Sequence, residues 1–397
     1  MMLLRTVPII QFFAAVLGGG SERHLIVFGD SLSDANNGDQ TNEPVPVWKG
    51  RYSDGPVWCE YLAYFKNYTL LNYAIGGATT NNTSVYQFTN QTAPVPSVLD
   101  QISTFNDTFG HKFKADSISK DLVVVEIGAN DMYYALDPLV DNDIDMVAYS
   151  SSIFDNIIEA VSKVSALGYK NIIVTTVHDI KDAPYVLEYN SSIRELVSYH
   201  TNEINKKLLS MISTSKSAIN GLKLVDLDGF CKLVLGDVGL ALNIKVFDKE
   251  CHVISNNRLV SSCKNSNEYA FIDLCHPNTK IHSFLGSAFA ETLGNSSFNL
   301  ELDSAISLII KYNLLNATSL HNFIYYPNSR ETGIIKIKSF SIKEATKNAQ
   351  TIIDAHNNQY FGLDQTKQYK YLNFFHLALY FVCYLMFEYL VNWYITL

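Results

Sequence analysis

Residues 27–37 read "VFGDSLSDANN" and close the first apolar run that precedes a polar turn. Leu25–Phe28 shows no polar alternation, the pattern of a strand covered on both faces. The run stops at Gly29-Asp30-Ser31. A serine there has two readings. It caps the following turn, or it stands at the end of a buried strand as a nucleophile.

The same pattern recurs along the chain. Leu70–Ile75, Leu122–Ile127, Ile172–Val177 and Leu222–Leu227 read as further buried strands. Between them, Val57–Phe65, Ile153–Leu167 and Ile193–Ile212 carry helical spacing. Strand–helix–strand order with long crossovers predicts an α/β fold: a doubly wound, flavodoxin-like three-layer sandwich on a parallel sheet. Sites in such sheets lie beyond the carboxyl ends of the strands.

Those ends carry chemistry. The second strand runs into Gly76-Gly77-Ala78 and the third into Gly128-Ala129-Asn130-Asp131. "FIDLCHPN", residues 271–278, sets Asp273 three residues before His276. A serine hydroxyl needs a base, and His276 titrates near neutrality. Asp273 would hold its tautomer and stabilise the imidazolium. The Ser31 and Gly77 N–H groups and the Asn130 amide would receive the oxyanion of an ester under attack. G-x-S-x-G, the elbow of another hydrolase class, does not occur.

In order, "VFGDSLSDANN", "LLNYAIGGATTNN", "VVEIGANDMYY" and "DLCHPNTKIH" resemble the four blocks of the GDSL (SGNH) hydrolase family over about residues 24–295. The resemblance implies Ser31 as nucleophile, Gly77 and Asn130 in the oxyanion hole, and Asp273 with His276 completing a triad. It implies an esterase without cofactor or metal, acting on a small acylated substrate, an acetylated sugar or a lipid ester. "WKGRYSDGPVWCEYLA", residues 48–63, is similar to a fungal branch with secreted acetylesterases and lipase-like relatives. A catalytically inactive glycan-binding surface protein is the alternative from another class. One departure stands out: the family's Asp-x-Gly-Asn is Asp34-Ala35-Asn36-Asn37 here, and Asn tolerates left-handed backbone better than most residues. Tyr86, Phe88 and Trp48 are candidates to stack on a sugar or line an acyl channel.

The rest of the chain bears on location. Its 397 residues carry a net charge of −9 with no basic patch, which argues against nucleic acid. Residues 1–20 place one Arg, an apolar stretch and small residues in the order of a secretory signal, the alternative being a buried helix. Sequons stand at Asn67, Asn81, Asn82, Asn90, Asn106, Asn190, Asn295 and Asn316. Cys231, Cys251, Cys263 and Cys275 cluster at gaps too wide for zinc knuckles, so disulfides are expected, Cys251–Cys263 first and Cys231–Cys275 second. The organisation expected is a signal at 1–20, a hydrolase domain at 24–297, an extension at 298–370 and a transmembrane helix at 371–397. That arrangement puts the enzyme in the secretory pathway, at the cell surface or outside it.

Overall fold

The computed structural model describes residues 22–38, 47–214, 221–255, 258–295 and 298–358. The expected signal at 1–20 and the expected membrane helix at 371–397 lie outside them. Among the described residues no helix is long and apolar enough to cross a membrane.

Among the described residues ten strands occur: β1 (His24–Gly29), β2 (Thr69–Asn72), β3 (Leu122–Glu126), β4 (Ile172–Thr175), β5 (Leu222–Val225), β6 (Val246–Glu250), β7 (His252–Ser255), β8 (Arg258–Ser262), β9 (Tyr269–Phe271) and β10 (Ser339–Phe340). Six form a parallel sheet in the order β10-β2-β1-β3-β4-β5. The β2-β1-β3-β4-β5 part is the flavodoxin-like order, whose switch point falls between β1 and β3. All five strands expected from the sequence are present. Four of them leave the ladder one to three residues sooner than their apolar runs, because those runs continue into the loops that build the site.

Leu25, Ile26, Val27, Val124, Ile172 and Ile173 have essentially no exposure. Each such side chain stabilises the fold by about 1.5–3 kcal/mol relative to an exposed one. Helices cover the sheet. Trp58–Lys66 packs on Thr279–Gly294, with Trp58 stacked on Phe289 at 4.4 Å. Val98–Phe109, Met146–Ala166 and Ser191–Thr214 pack in sequence on one another.

The segment after 297 belongs to the same compact unit, which runs from Glu22 to Ile353. It supplies the sheet's edge strand: Ser339 lies opposite Leu70 and Phe340 opposite Leu71. It also closes a second apolar cluster in which Ala317, Ile324, Tyr325 and Ile335 surround Trp48 and Tyr61. Of the described residues, 354–358 fall outside that unit.

Candidate active site

Ser31 stands two residues past the end of β1. Behind it the Gln101 side chain bridges the strand end, accepting from Gly29 N–H at 3.0 Å and donating to Gly29 C=O at 2.8 Å. Ser31 Oγ lies 2.8 Å from His276 Nε2, and His276 Nδ1 lies 2.8 Å from Asp273 Oδ2. Asp273 Oδ1 also accepts the backbone N–H groups of Cys275 and His276, which fixes the carboxylate. The three sequence-predicted side chains therefore form one connected line.

Asn36 takes φ +89°, the left-handed position where the family pattern has glycine. Asp34 Oδ1 accepts from the N–H groups of Asn36 and Asn37. Asn37 then donates to Asn72 and to Ala74 C=O, and accepts from Ile342 N–H. The departure is thus absorbed by an asparagine in left-handed backbone.

The donors beside Ser31 are set by the next loop. Gly77 holds φ +83°, open to glycine at no steric cost. Gly76 N–H donates to Asp34 and Ala78 N–H to Ile75 C=O. The N–H groups of Ser31 and Gly77 meet no protein acceptor among the described residues. Asn130 is the second residue of the short helix Ala129–Tyr134 and gives one amide hydrogen to Ala78 C=O at 2.9 Å, keeping the second. Ser31, Gly76, Gly77, Asn130, Tyr133 and His276 line one open cleft of about 410 Å³.

Tyr52 was not found by sequence reasoning. Its ring lies 4.8 Å from that of His276, and it covers Gly76 so closely that a Cβ there would fall 2.1 Å from the ring. Its only signal is its place in "WKGRYSDGPVWCEYLA". The same segment pairs Arg51 with Glu60 in a buried ion pair at 2.6 Å and sends Asp54 to accept from Thr279 N–H.

The electrostatics favour a basic His276. Burial opposes its protonation, but the adjacent Asp273 carboxylate outweighs that and holds the imidazole well above its ordinary value. The Cys275 thiol, 3.5 Å from Nδ1, is itself pushed up by burial and stays neutral, so Asp273 is the group that matters. Burial also acts on Asp273, yet His276 and the two N–H donors hold its carboxyl below the usual range. His282 is different. It is fully buried, its Nδ1 accepts from Trp58 N–H at 3.3 Å, and burial lowers it to about 3. Asp273, Cys275 and His276 are near enough to share a cation, though Asp273 and His276 are already bonded to each other.

Several expectations change. Trp48 is buried against Tyr325, Phe88 packs on Tyr149, and Tyr86 is exposed; none lines the cleft. Local aromatic content could not tell core from site. Cys251 and Cys263 are bridged as expected, whereas Cys231 and Cys275 are both free thiols. Asn67, Asn90, Asn106, Asn190, Asn295 and Asn316 are exposed. Asn81 and Asn82 are half-buried, and the Asn82 amide donates to Val95 C=O at 2.7 Å, which turns that sequon inward.

A Ser–His–Asp line at the switch point of a flavodoxin-like sheet, with backbone and amide donors beside the serine, defines a serine-hydrolase type of site. The chain belongs to the GDSL-like lipase/acylhydrolase family, which residues 25–289 match. Among curated proteins it is similar to a thermolabile hemolysin of Vibrio parahaemolyticus serotype O3:K6 (strain RIMD 2210633), 26% identical over 68% of this chain and 64% of that protein. It is also similar to a phosphatidylcholine-sterol acyltransferase of Aeromonas hydrophila, 27% identical over 51% of this chain and 58% of that protein. The chain thus spans about three fifths of the length of each relative. Among solved structures, an alpha/beta hydrolase enzyme from the metagenome of Lake Arreo, Spain, covers 70% of this chain and 97% of its own, with 16% identity and a TM-score of 0.38. An acetyl xylan esterase covers 69% and 100%, with 15% identity and a TM-score of 0.36.

Proposed function

We propose that the protein hydrolyses carboxylic esters through an acyl-enzyme on Ser31. The observation that carries this is the unbroken line from Ser31 Oγ through His276 to Asp273, at 2.8 Å and 2.8 Å. Nδ1–H is held by Asp273, which leaves Nε2 to accept the serine proton. Ser31 Oγ bonds to the ester carbonyl carbon as His276 takes that proton. The carbonyl electron pair moves to oxygen, facing the N–H groups of Ser31 and Gly77 and the Asn130 amide. Collapse expels the alcohol, protonated by His276. Water then attacks the acyl-serine with His276 again as base, and the acid leaves. One donor of this kind is worth about 2.7–4 kcal/mol of barrier.

A fluorophosphonate probe tests the role of Ser31. The wild type is labelled and hydrolyses p-nitrophenyl acetate, while Ser31→Ala loses both. Labelling or turnover that survives in a folded Ser31→Ala protein overturns the assignment.

The expected substrates are short-chain or acetyl esters, and an open cleft of about 410 Å³ has room for an acetylated sugar. A lipid ester is the second reading, favoured by an apolar cavity that adjoins the cleft. The enzyme works in the secretory pathway or at the cell surface, held by residues 371–397. The disulfide and six exposed sequons support this location. Carbonate extraction of the full-length chain, beside a chain ending at Lys370, tests the anchor. Equal release of both into the supernatant rules it out.

A further inference from the structure

We propose that the acyl chain of the substrate runs from Ser31 into a blind apolar cavity, so that the enzyme selects straight-chain esters of about six to eight carbons. The inference rests on Ser31 being the nucleophile, takes the lipid-ester reading of that site over the acetyl-ester one, and sets the acyl length.

The cavity has a volume of about 70 Å³ and adjoins the catalytic cleft. Leu32, Tyr133, His178, Cys275 and Pro277 line both, so the two spaces share a wall. Leu32 is the residue after the nucleophile, and Cys275 precedes the base. That shared wall therefore stands beside the reacting atoms, where the acyl chain would cross it. Deeper in, Phe230, Val234, Leu235, Phe271, Ile281 and Leu285 enclose it. Four of these side chains, Phe230, Val234, Ile281 and Leu285, are almost fully buried, which leaves their apolar faces for whatever fills the space.

The ionisable groups of the wall suit a hydrocarbon. Burial lowers His178 to about 4, so it is neutral at working pH. Burial raises the thiols of Cys231 and Cys275, so both stay protonated. His282 is neutral for the same reason as His178. The Asp179 carboxylate is engaged by the Ser198 hydroxyl and by Lys181 N–H.

The size sets the chain length. A water-sized group takes about 10–15 Å³ of such space, so the cavity holds roughly five methylene-sized groups. The carbonyl carbon sits at Ser31 and the next carbons cross the cleft. Hexanoyl to octanoyl chains then fill the cavity, and longer ones meet its end. An acetyl group does not reach it. Each methylene transferred from water to the cavity raises kcat/KM by about fourfold until the space is full.

The test is a p-nitrophenyl ester series of acetate, butyrate, hexanoate, octanoate and palmitate on the full-length chain. The wild type is expected to peak at hexanoate or octanoate, at least tenfold above acetate in kcat/KM. Leu235→Trp, at a half-buried wall position, is expected to lower the octanoate-to-acetate ratio at least tenfold. Cys231→Phe is the second filling variant should the first not fold. Fluorophosphonate labelling of each variant verifies an intact Ser31 site. A wild-type profile that falls steadily from acetate overturns the cavity assignment, as does a ratio unchanged in a folded, labelled variant. Hydrolysis that persists in Ser31→Ala overturns instead the nucleophile on which the assignment rests.

Discussion

Tyr52 and His276 face each other with ring centroids 4.8 Å apart and planes tilted by 36°. The tyrosine walls one side of the imidazole and leans on the backbone of Gly76, beside the Gly77 donor. One side chain thus restrains the base and the loop that carries the oxyanion donor. Tyr52→Ala is expected to lower kcat by about 10- to 100-fold, in line with the loss that a 1 Å misplacement causes. Tyr52→Phe keeps the ring and is expected to recover most of that loss. Steady-state kinetics on both variants decide it. Equal activities for alanine and wild type would remove Tyr52 from the positioning of His276.

Asp273 gives a second prediction, in pH. Catalysis needs neutral His276, whose protonated form Asp273 stabilises. The wild-type rate is therefore expected to rise with pH through a value above the ordinary histidine range. In Asp273→Asn the carboxylate is gone and burial acts alone, so the acid limb moves to lower pH. The rate also falls, by about 10³–10⁴-fold, because the tautomer is no longer held. A pH profile of kcat/KM that keeps its acid limb in the variant would show that another group titrates.

The architecture was legible for a simple reason. Double-sided burial strips strands of polar alternation, so β1 and β3 could be read as apolar runs. The Asp273–His276 spacing was equally local, three residues in one turn. Contacts made across the chain left no such trace. Tyr52 on His276 and Gln101 on Gly29 join positions far apart in sequence. β10 is two residues long and carries no apolar run of its own. Trp48 misled because an aromatic near a motif in sequence can point into core, here toward Tyr325 in the extension.

The Cys251–Cys263 bridge closes the base of the β7–β8 hairpin. Cys251 N–H donates to Phe271 C=O, His252 N–H to Ile272 C=O, and Ile272 N–H to His276 C=O. The clamp is therefore hydrogen-bonded to the segment that carries Asp273 and His276. A Cys251→Ser/Cys263→Ser double variant is expected to lose about 3 kcal/mol of stability by the chain-entropy model. Reductant should lower the wild-type Tm to that of the variant and leave the variant unmoved. Coincident melts for wild type and variant would mean that the bridge adds nothing.

Asp131 supplies a stability prediction with a defined sign. It is fully buried, with its oxygens 2.9 Å from Thr80 N and 2.5 Å from Thr80 Oγ1. Burial outweighs those bonds and raises its carboxyl to about 7. In the unfolded chain the group ionises near pH 4. Between about pH 4 and pH 7 the unfolded state has thus lost a proton that the folded state keeps. Stability from this group falls as pH rises through that window and is level above it. Asp131→Asn removes the effect while leaving the other buried acids, Asp30 and Asp34, in place. The variant's stability relative to wild type is expected to climb from pH 4 to pH 7, by roughly 4 kcal/mol at most. Taking the difference between the two proteins at each pH cancels the titrating groups that do not interact with Asp131. Denaturant melts at pH 4.5, 6 and 8 measure it. A difference that stays flat, or falls, across those three pH values would mean that Asp131 is already ionised in the folded protein at pH 4.5.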